Sequence, residues 1–252
     1  MGKSNRQRVQ DNKAVKAGSK YQEKVVQFQA SNDWKLDWFI PEGNQPLIVE
    51  SMRKNPLTIV KGPSGTGKTS TVLNEALKYL KDGEFSRIVF VKNPTEAGDD
   101  QIGYLKGEQE DKLKAHFHET RRIFLSFLSK GKLECDEAKG KIEFAIPNFL
   151  LGATIDNAVL ILDETQTMSP GTLKLLMERA GMNTIVIVMG DSRQAYSVKK
   201  REDGFADLIS KVTERNSDGE LESTEELMGF VELTTDDNKR SALSKRITEL
   251  YA

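Results

Sequence analysis

The sequence holds too few cysteines and histidines to build a thiolate or histidine metal centre or a disulfide framework. Cys135 is the single cysteine among 252 residues, so no disulfide can form within the chain and a reducing compartment is favoured. The two histidines, His116 and His118, lie two positions apart in a helical pattern, where their side chains point in different directions. They are therefore interpreted as surface residues and not as metal ligands.

Long apolar runs and an excess of charge are also lacking. Runs such as residues 158–162 and 185–189 are far shorter than the roughly 18 residues that cross a bilayer, and no apolar segment follows the polar N-terminus. The 37 basic and 38 acidic residues give a formal net charge of -1, so no global field attracts nucleic acid or a membrane. These absences predict a cytoplasmic protein with no membrane partner, in which any contact with nucleic acid is local.

Charge is nevertheless distributed unevenly along the chain. Residues 1–24 hold seven Lys or Arg against two acidic residues, which predicts a basic, mobile N-terminal arm over residues 1–30. The arm serves either as a solubilising tail or as a contact for nucleic acid. The remainder, 31–252, has the size of a single domain. Within it, residues 214–237 hold nine acidic residues and one basic residue, which predicts a solvated acidic insertion near 214–228.

Short β-branched runs alternate with helical patterns after residue 56, as in parallel strands joined by crossover helices. Strands are predicted at 57–60, 87–91, 142–145, 159–162, 185–189 and 230–233. Helical apolar spacing covers 69–81, 112–129 and 169–179. Because several strands are rich in Val and Ile throughout, both faces of the sheet should be covered. The predicted fold is α/β, a three-layer sandwich with a mainly parallel central sheet.

A glycine-rich loop joins the first predicted strand to the first predicted helix. The loop, Gly62-x-x-x-x-Gly67-Lys68-Thr69, has the order of strand, loop and helix that a phosphate cradle requires. Its glycines let successive N–H groups point inward, and the helix presents its positive end to the phosphates. Lys68 would bridge the β- and γ-phosphates, and the Thr69 hydroxyl would coordinate Mg²⁺. The sequence therefore predicts that ATP and Mg²⁺ bind through Gly62, Pro63, Ser64, Gly65, Thr66, Gly67, Lys68, Thr69 and Ser70.

A later strand ends in two adjacent carboxylates, Asp163 and Glu164. At the tip of a buried strand, Asp163 would ligate Mg²⁺ and Glu164 would be the catalytic base that orients the attacking water. The alternative is that both residues cap the helix that follows. A base beside the metal ligand favours hydrolysis, because a small-molecule kinase needs a site for a second substrate instead.

The strand at 185–189 leads into a third motif, Gly190-Asp191-Ser192-Arg193-Gln194. A side-chain amide both donates and accepts hydrogen bonds. Gln194 could therefore bind a γ-phosphate oxygen and the attacking water, and report the loss of that phosphate to the rest of the chain. The alternative is that the pentapeptide is only a surface turn.

These motifs together resemble those of the PhoH-like ATPases, relatives of the nucleotide-binding domain of superfamily 1 helicases. They read Gly-Pro-Ser-Gly-Thr-Gly-Lys-Thr, Leu-Asp-Glu-Thr-Gln and Gly-Asp-Ser-Arg-Gln, and the resemblance runs from about residue 45 to residue 251. It includes Asn-Pro-Thr-Glu-Ala-Gly at 93–98 and Ile-Gly-Tyr-Leu-Lys-Gly at 102–107, which look like the family's segment after its second strand. This chain departs from the family at Thr165, where alanine is usual, at Lys92, where arginine is expected, and by one extra residue between Gly98 and Gly103.

The resemblance implies a P-loop NTPase fold of the RecA-like type, and it implies roles for two further residues. Gln45 would read the adenine, and Arg240 would be the arginine that completes the γ-phosphate site. Superfamily 1 helicases close their ATP site between two such domains, whereas this chain has room for one. A neighbouring subunit is therefore expected to supply the other half in a head-to-tail homo-oligomeric ring, and Arg240 would act either in cis or in trans.

Two functions from different classes stay open at this point. The helicase resemblance and the basic arm favour an ATPase that couples hydrolysis to RNA or single-stranded DNA. The near-neutral charge and the lack of an aromatic-rich stacking surface suit a nucleotide-dependent switch or assembly factor that acts on protein partners. Stimulation of hydrolysis by nucleic acid separates the two. A small-molecule kinase is disfavoured by Glu164 and by the lack of an evident lid.

Overall fold

The computed structural model describes residues 33–94, 116–150, 152–191 and 203–239, together with positions 243, 246 and 250. The predicted arm at 1–30, Gln194 and Arg240 lie outside these residues. The helices are α1 Gln45–Lys54, α2 Lys68–Asp82, α3 His118–Phe127, α4 Lys130–Ala138, α5 Pro170–Met177 and α6 Gly204–Val212. The strands are β1 Leu57–Lys61, β2 Arg87–Lys92, β3 Ile142–Ala145, β4 Ala158–Asp163, β5 Ile185–Gly190, β6 Thr213–Arg215, β7 Leu221–Ser223 and β8 Met228–Glu232. Within the described ranges, no helix has the length and apolar character needed to cross a membrane.

Six of these strands form one sheet in the order β3-β2-β4-β5-β1-β8. Every neighbouring pair in it runs parallel, which confirms the predicted α/β fold with a mainly parallel sheet. Because parallel strands end at the same edge, β1, β4 and β5 deliver the residues that follow them to adjacent positions. The glycine-rich loop, the Asp163–Glu164 pair and Gly190 therefore meet at one edge of the sheet.

The core lies on both faces of the sheet, as a three-layer sandwich requires. Along β1, Ile59 belongs to one apolar cluster and Val60 to the other; along β4, Leu160 and Ile161 alternate in the same way. All four side chains are fully buried. Helices α1, α2 and α3 cover one face, and α5 and α6 cover the opposite face. Successive side chains of a strand point to opposite faces of the sheet, so a strand that is apolar at nearly every position is buried on both faces.

The predicted helix over 112–129 differs from the structure, which has α3 and then a separate helix, α4. The break lies at Leu128, which is extended and pairs with Trp34 in an isolated bridge. Ser129 then begins α4, because its hydroxyl accepts a hydrogen bond of 3.1 Å from the Lys132 backbone N–H. Helices α1, α4 and α6 and strands β6 and β7 were not among the predicted elements, and β8 begins two residues before its predicted start at 230.

The acidic stretch after α6 forms a small structure of its own. Strands β6 and β7 pair as an antiparallel hairpin that is not hydrogen-bonded into the central sheet. Its acidic side chains are exposed to solvent, including Glu214, Asp218 and Glu222. The chain then returns through β8 to the edge of the central sheet, beside β1. That this hairpin is an insertion into the domain stays a prediction.

Candidate functional site

The loop between β1 and α2 has the backbone geometry of a phosphate cradle. Gly67 is the N-cap of α2 with φ 80°, and Gly65 has φ 86°, a left-handed conformation that glycine adopts with little strain. A Cβ added to Gly67 would lie 2.5 Å from the side-chain nitrogen of Gln45. A glycine N-cap has no side chain that could compete with an anion for the first N–H groups of α2.

Lys68 points into this loop. Its ammonium group donates hydrogen bonds of 2.6 Å to the Gly62 carbonyl and 2.9 Å to the Pro63 carbonyl. The Thr66 hydroxyl is buried and donates to the same Pro63 carbonyl at 2.9 Å. The loop therefore folds around the ammonium group of Lys68, at the position where the sequence predicts the phosphates of the nucleotide.

Gln45, the first residue of α1, forms a hydrogen bond with the glycine-rich loop. It is 3% exposed; its side-chain nitrogen donates to the Thr66 carbonyl at 2.9 Å, and its side-chain oxygen accepts from the Glu42 backbone N–H at 3.1 Å. An amide has one further N–H and one further lone pair, so both could still face a base. That Gln45 reads adenine stays a prediction.

Asp163 is the last residue of β4 and is 7% exposed. Burial, together with the negative charge of Glu164, raises the pKa of Asp163 to about 6. The charges of Lys92, its register partner on β2, and of Lys68 act in the opposite direction. A carboxylate that loses hydration in this way gains from a bound cation.

Glu164 occupies a strained backbone position directly after the strand. Its φ of 53° and ψ of 41° are left-handed, which is uncommon for a residue with a long side chain and is typical of functional sites. Gln166, 1% exposed, donates to the Glu164 carboxylate at 2.6 Å. The Gln166 side-chain oxygen accepts from the Asp191 backbone N–H at 3.2 Å. The amide thus links the predicted base to the loop after β5.

Sequence reasoning gave no role to Gln166, although it stands inside the motif Leu-Asp-Glu-Thr-Gln. The available signal was a polar amide two residues after a predicted base. The neighbouring departure from the family, Thr165, is fully buried, and its hydroxyl donates to the Met189 carbonyl at 2.9 Å. The extra hydroxyl is therefore accommodated by a hydrogen bond to β5.

The segment after β8 lies against the same loop. The Lys239 backbone N–H donates to the Gly65 carbonyl at 3.0 Å, and the Lys239 ammonium lies 2.6 Å from the Glu42 carboxylate. Asp237 accepts from the Asn44 backbone N–H at 2.9 Å. Arg240 follows Lys239 directly in sequence but lies outside the described residues, as does Gln194, so their roles stay predictions.

One cavity of about 740 Å³ joins these groups, a volume within the range of small-ligand sites. Its lining has three parts. The phosphate part consists of Ser64, Gly65, Gly67, Lys68, Thr69 and Ser70. The carboxylate part includes Lys92, Asp163, Glu164 and Asp191, and the third part includes Trp38, Phe39, Ile40 and Ile123. The structure therefore brings the predicted phosphate loop and the predicted acidic pair together.

A family model described as PhoH-like protein matches residues 41–252. The chain is 30% identical over 207 residues to a PhoH-like protein of Bacillus subtilis (strain 168), an alignment that covers 82% of this chain and 61% of the relative. It is 28% identical over 206 residues to Protein PhoH of Escherichia coli (strain K12), covering 81% of this chain and 55% of that protein. The chain thus spans between 55% and 61% of the length of these two relatives.

Two solved structures are similar over a large part of this chain. The Hef helicase domain of Pyrococcus furiosus matches with a TM-score of 0.44 and 14% identity, covering 79% of this chain and 40% of that chain. The Pif1 helicase of Candida albicans matches with a TM-score of 0.38 and 11% identity, covering 84% of this chain and 44% of that chain. Scores of this size carry no argument about the activity of this chain.

Proposed function

Because the chain belongs to the PhoH-like protein family, we propose that it is a magnesium-dependent ATPase that hydrolyses ATP to ADP and phosphate. One observation carries the proposal: a single cavity is lined by Lys68 and Thr69 of the P-loop and by Asp163 and Glu164 after β4. A phosphate cradle, hard oxygen ligands and a carboxylate base are the groups that hydrolysis of a nucleoside triphosphate needs.

Phosphate oxygens would take the place of the loop carbonyls that Lys68 now contacts. The bonds to the Gly62 and Pro63 carbonyls are to neutral acceptors, and a phosphate oxygen forms a stronger, charge-assisted hydrogen bond. The N-terminus of α2 adds its first backbone N–H groups and its positive dipole end. Thr69 and Ser70 in the first turn line the same part of the cavity.

The residues present fit Mg²⁺. Thr69 offers a hydroxyl and Asp163 a buried carboxylate on the same cavity, and Mg²⁺ prefers hard oxygen ligands of this kind. When bound, the ion would neutralise negative charge on the β- and γ-phosphates. The raised pKa of Asp163 supports this assignment, because a nearby cation offsets the cost of ionising a buried carboxyl group.

Glu164 is the proposed base. Its carboxylate would take a proton from water as the water oxygen bonds to the γ-phosphorus and the bond from that phosphorus to the bridging oxygen breaks. Gln166 holds one carboxylate oxygen at 2.6 Å, which leaves the other oxygen for the water. Removal of the carboxylate charge should therefore stop turnover without removing any phosphate contact.

The proposal extends to coupling with RNA or single-stranded DNA. The basic residues at 1–24 and the resemblance to superfamily 1 helicases support it, and local positive charge is what binds phosphate backbones. Gln194 is the proposed γ-phosphate sensor; the hydrogen bond from the Asp191 backbone, three positions before it in sequence, to Gln166 supports a connection to the base. The alternative, a nucleotide-dependent switch or assembly factor acting on protein partners, is supported by the near-neutral net charge.

A homo-oligomeric ring is the proposed assembly, with Arg240 completing the γ-phosphate site. The residue before it, Lys239, donates its backbone N–H to Gly65 of the same chain, which supports Arg240 acting in cis; action in trans across a ring interface is the alternative. Sedimentation with ATP and Mg²⁺ tests the ring. A monomer at concentrations where hydrolysis is fast would contradict it.

The experiment that tests the function is the steady-state ATPase rate with Mg²⁺ in low salt, with and without single-stranded RNA and DNA. Lys68→Ala is the control for a contaminating ATPase. We expect hydrolysis that depends on Lys68 and rises with one of the polymers. A Lys68-dependent rate that neither polymer changes would favour the protein-partner alternative, and a rate that Lys68→Ala does not lower would contradict the ATPase proposal.

A further inference from the structure

Trp38 is a large apolar side chain that the fold holds in place and yet leaves in water. The residue is 59% exposed, although its indole nitrogen donates to the Ser126 carbonyl at 3.0 Å. One face of the ring stacks on Phe127, with centroids 5.4 Å apart and planes 17° from parallel. Phe39 packs edge-on against Trp38 at 5.6 Å. Trp38 and the exposed Ile40 both line the cavity, and adjoining exposed apolar side chains at a cavity are typical of a ligand-binding surface.

Trp38 lines the same cavity as the P-loop. Two further apolar side chains line this cavity, Ile40, which is 73% exposed, and Ile123, and the carboxylates of Glu42 and Glu119 lie among the same lining residues. The charged and polar groups that suit phosphates and a metal ion lie in the other parts of the lining, at Lys68 and Asp163. With the triphosphate held there, the part of a nucleotide left to meet an apolar wall is its base.

We infer that Trp38 is the stacking platform for the base of the bound nucleotide. This inference rests on the proposed function, since the P-loop must hold the phosphates before the base can reach the platform. The face of the indole opposite Phe127 would cover one face of the base. Stacking requires only a flat π surface, so the platform supplies affinity and does not choose between bases. The choice of adenine is left to hydrogen-bonding groups such as Gln45.

The chain offers a matched control in its other tryptophan. Trp34 is partly buried and packs against the core, and the Lys132 ammonium lies 4.6 Å from its ring centroid. Substitution of Trp34 therefore perturbs a tryptophan of the same segment without touching the cavity. A loss of nucleotide affinity that follows substitution of Trp38 but not of Trp34 is therefore attributed to the proposed platform.

The test compares two ligands in the 252-residue chain: a non-hydrolysable ATP analogue with Mg²⁺, and inorganic triphosphate with Mg²⁺. Binding is measured by calorimetry for the parent, W38A, W38F and W34F, and thermal melting confirms that each variant is folded. We expect W38A to bind the analogue about 10-fold more weakly, and W38F to stay within about 3-fold of the parent because a phenyl ring still stacks. The affinity for inorganic triphosphate should be unchanged in all four proteins. Quenching of tryptophan fluorescence by the analogue should persist in W34F and disappear in W38F.

Each other outcome is decisive. If folded W38A binds the analogue as tightly as the parent, Trp38 does not contact the base and the inference is wrong. An equal loss of affinity for both ligands also overturns it, because the effect then lies on the phosphate site. If the parent binds inorganic triphosphate and the analogue equally well, no base platform exists, although the phosphate site stands. If the parent binds neither ligand, the proposed function fails and the platform fails with it.

Discussion

Gln166 donates a hydrogen bond of 2.6 Å to the carboxylate of Glu164 and accepts one of 3.2 Å from the backbone of Asp191. Its amide therefore fixes the proposed base against the loop that follows the adjacent strand, β5. Gln194, the predicted sensor of the γ-phosphate, follows Asp191 by three positions in the sequence. Glu164 lies in a left-handed backbone conformation. Its position therefore depends on this side-chain contact more than the position of a residue inside a helix or strand does.

Gln166→Ala should separate turnover from binding. Loss of the amide frees the Glu164 carboxylate to misalign, which we expect to lower kcat about 10- to 100-fold. The KM for ATP should stay within about 3-fold, because the hydrogen bonds of Gln166 go to Glu164 and Asp191 and not to the P-loop. Steady-state kinetics with Mg²⁺ and ATP measure both constants.

Thr165→Ala is the matched control for this change. It removes a buried hydroxyl that donates to the Met189 carbonyl, at a cost of about 1 kcal/mol in the free energy of unfolding, and does not touch the carboxylate. We expect its kcat to equal that of the parent. Equal kcat values for Gln166→Ala and Thr165→Ala would show that Gln166 does not position the base.

Gly67→Ala and Gly83→Ala test the loop with glycines at the two ends of α2. Their φ values are 80° and 78°, so each substitution should cost about 1 kcal/mol in the free energy of unfolding. Only at Gly67 would the new methyl meet the Gln45 amide, at 2.5 Å, whereas nothing lies within 4 Å of a methyl at Gly83. We expect Gly67→Ala to weaken ATP binding more than about 10-fold and Gly83→Ala to leave it intact. Similar affinities in the two variants would contradict the proposed role of this turn.

The sequence predicted the parallel sheet well because its strands are apolar on both faces and cannot be confused with surface elements. It also placed the functional motifs at strand ends, and the order β4-β5-β1 brings those ends together. Helix α1 was missed because its apolar face is short, and its role depends on Gln45 meeting Thr66, 21 residues away in sequence. The contact between Gln166 and Asp191 spans 25 residues and likewise depends on which strands are neighbours.

The apolar wall of the cavity could not be read from the sequence either. Trp38 and Phe39 precede the first strand and look like ordinary core residues in a linear pattern. Their relation to Phe127 and Ser126 depends on contacts across 88 residues. The contact at Gly67 could not be predicted either. The glycine-rich motif explains the left-handed turn at Gly67, but it does not show that the Gln45 side chain lies close to this residue.

Binding of Mg²⁺ should depend on the protonation of Asp163. Burial and the charge of Glu164 raise its pKa to about 6, so a proton competes with the ion below that pH. We expect the apparent affinity for Mg²⁺ to fall up to about 10-fold per pH unit below pH 6 and to be constant above about pH 7. The Mg²⁺ dependence of the ATPase rate between pH 5 and pH 8 measures this.

Protonation of Asp163 weakens Mg²⁺ binding, but it stabilises the folded chain. Because the folded chain binds this proton more tightly than the unfolded chain does, Asp163 contributes stability at low pH that is lost as the pH rises through about 6. Asp163→Asn should remove that contribution to the pH dependence of the free energy of unfolding.

For the Mg²⁺ prediction, an apparent Mg²⁺ affinity that is the same at pH 5 and pH 8 would mean that Asp163 is not a ligand.

The most direct test of the account is a paired measurement on Glu164→Gln: its affinity for ATP with Mg²⁺, and its single-turnover rate of hydrolysis. We predict an affinity close to that of the parent and a rate at least about 100-fold lower, because only the proton acceptor is removed. Hydrolysis at the parent rate in this variant would show that Glu164 is not the base and would contradict the proposed mechanism.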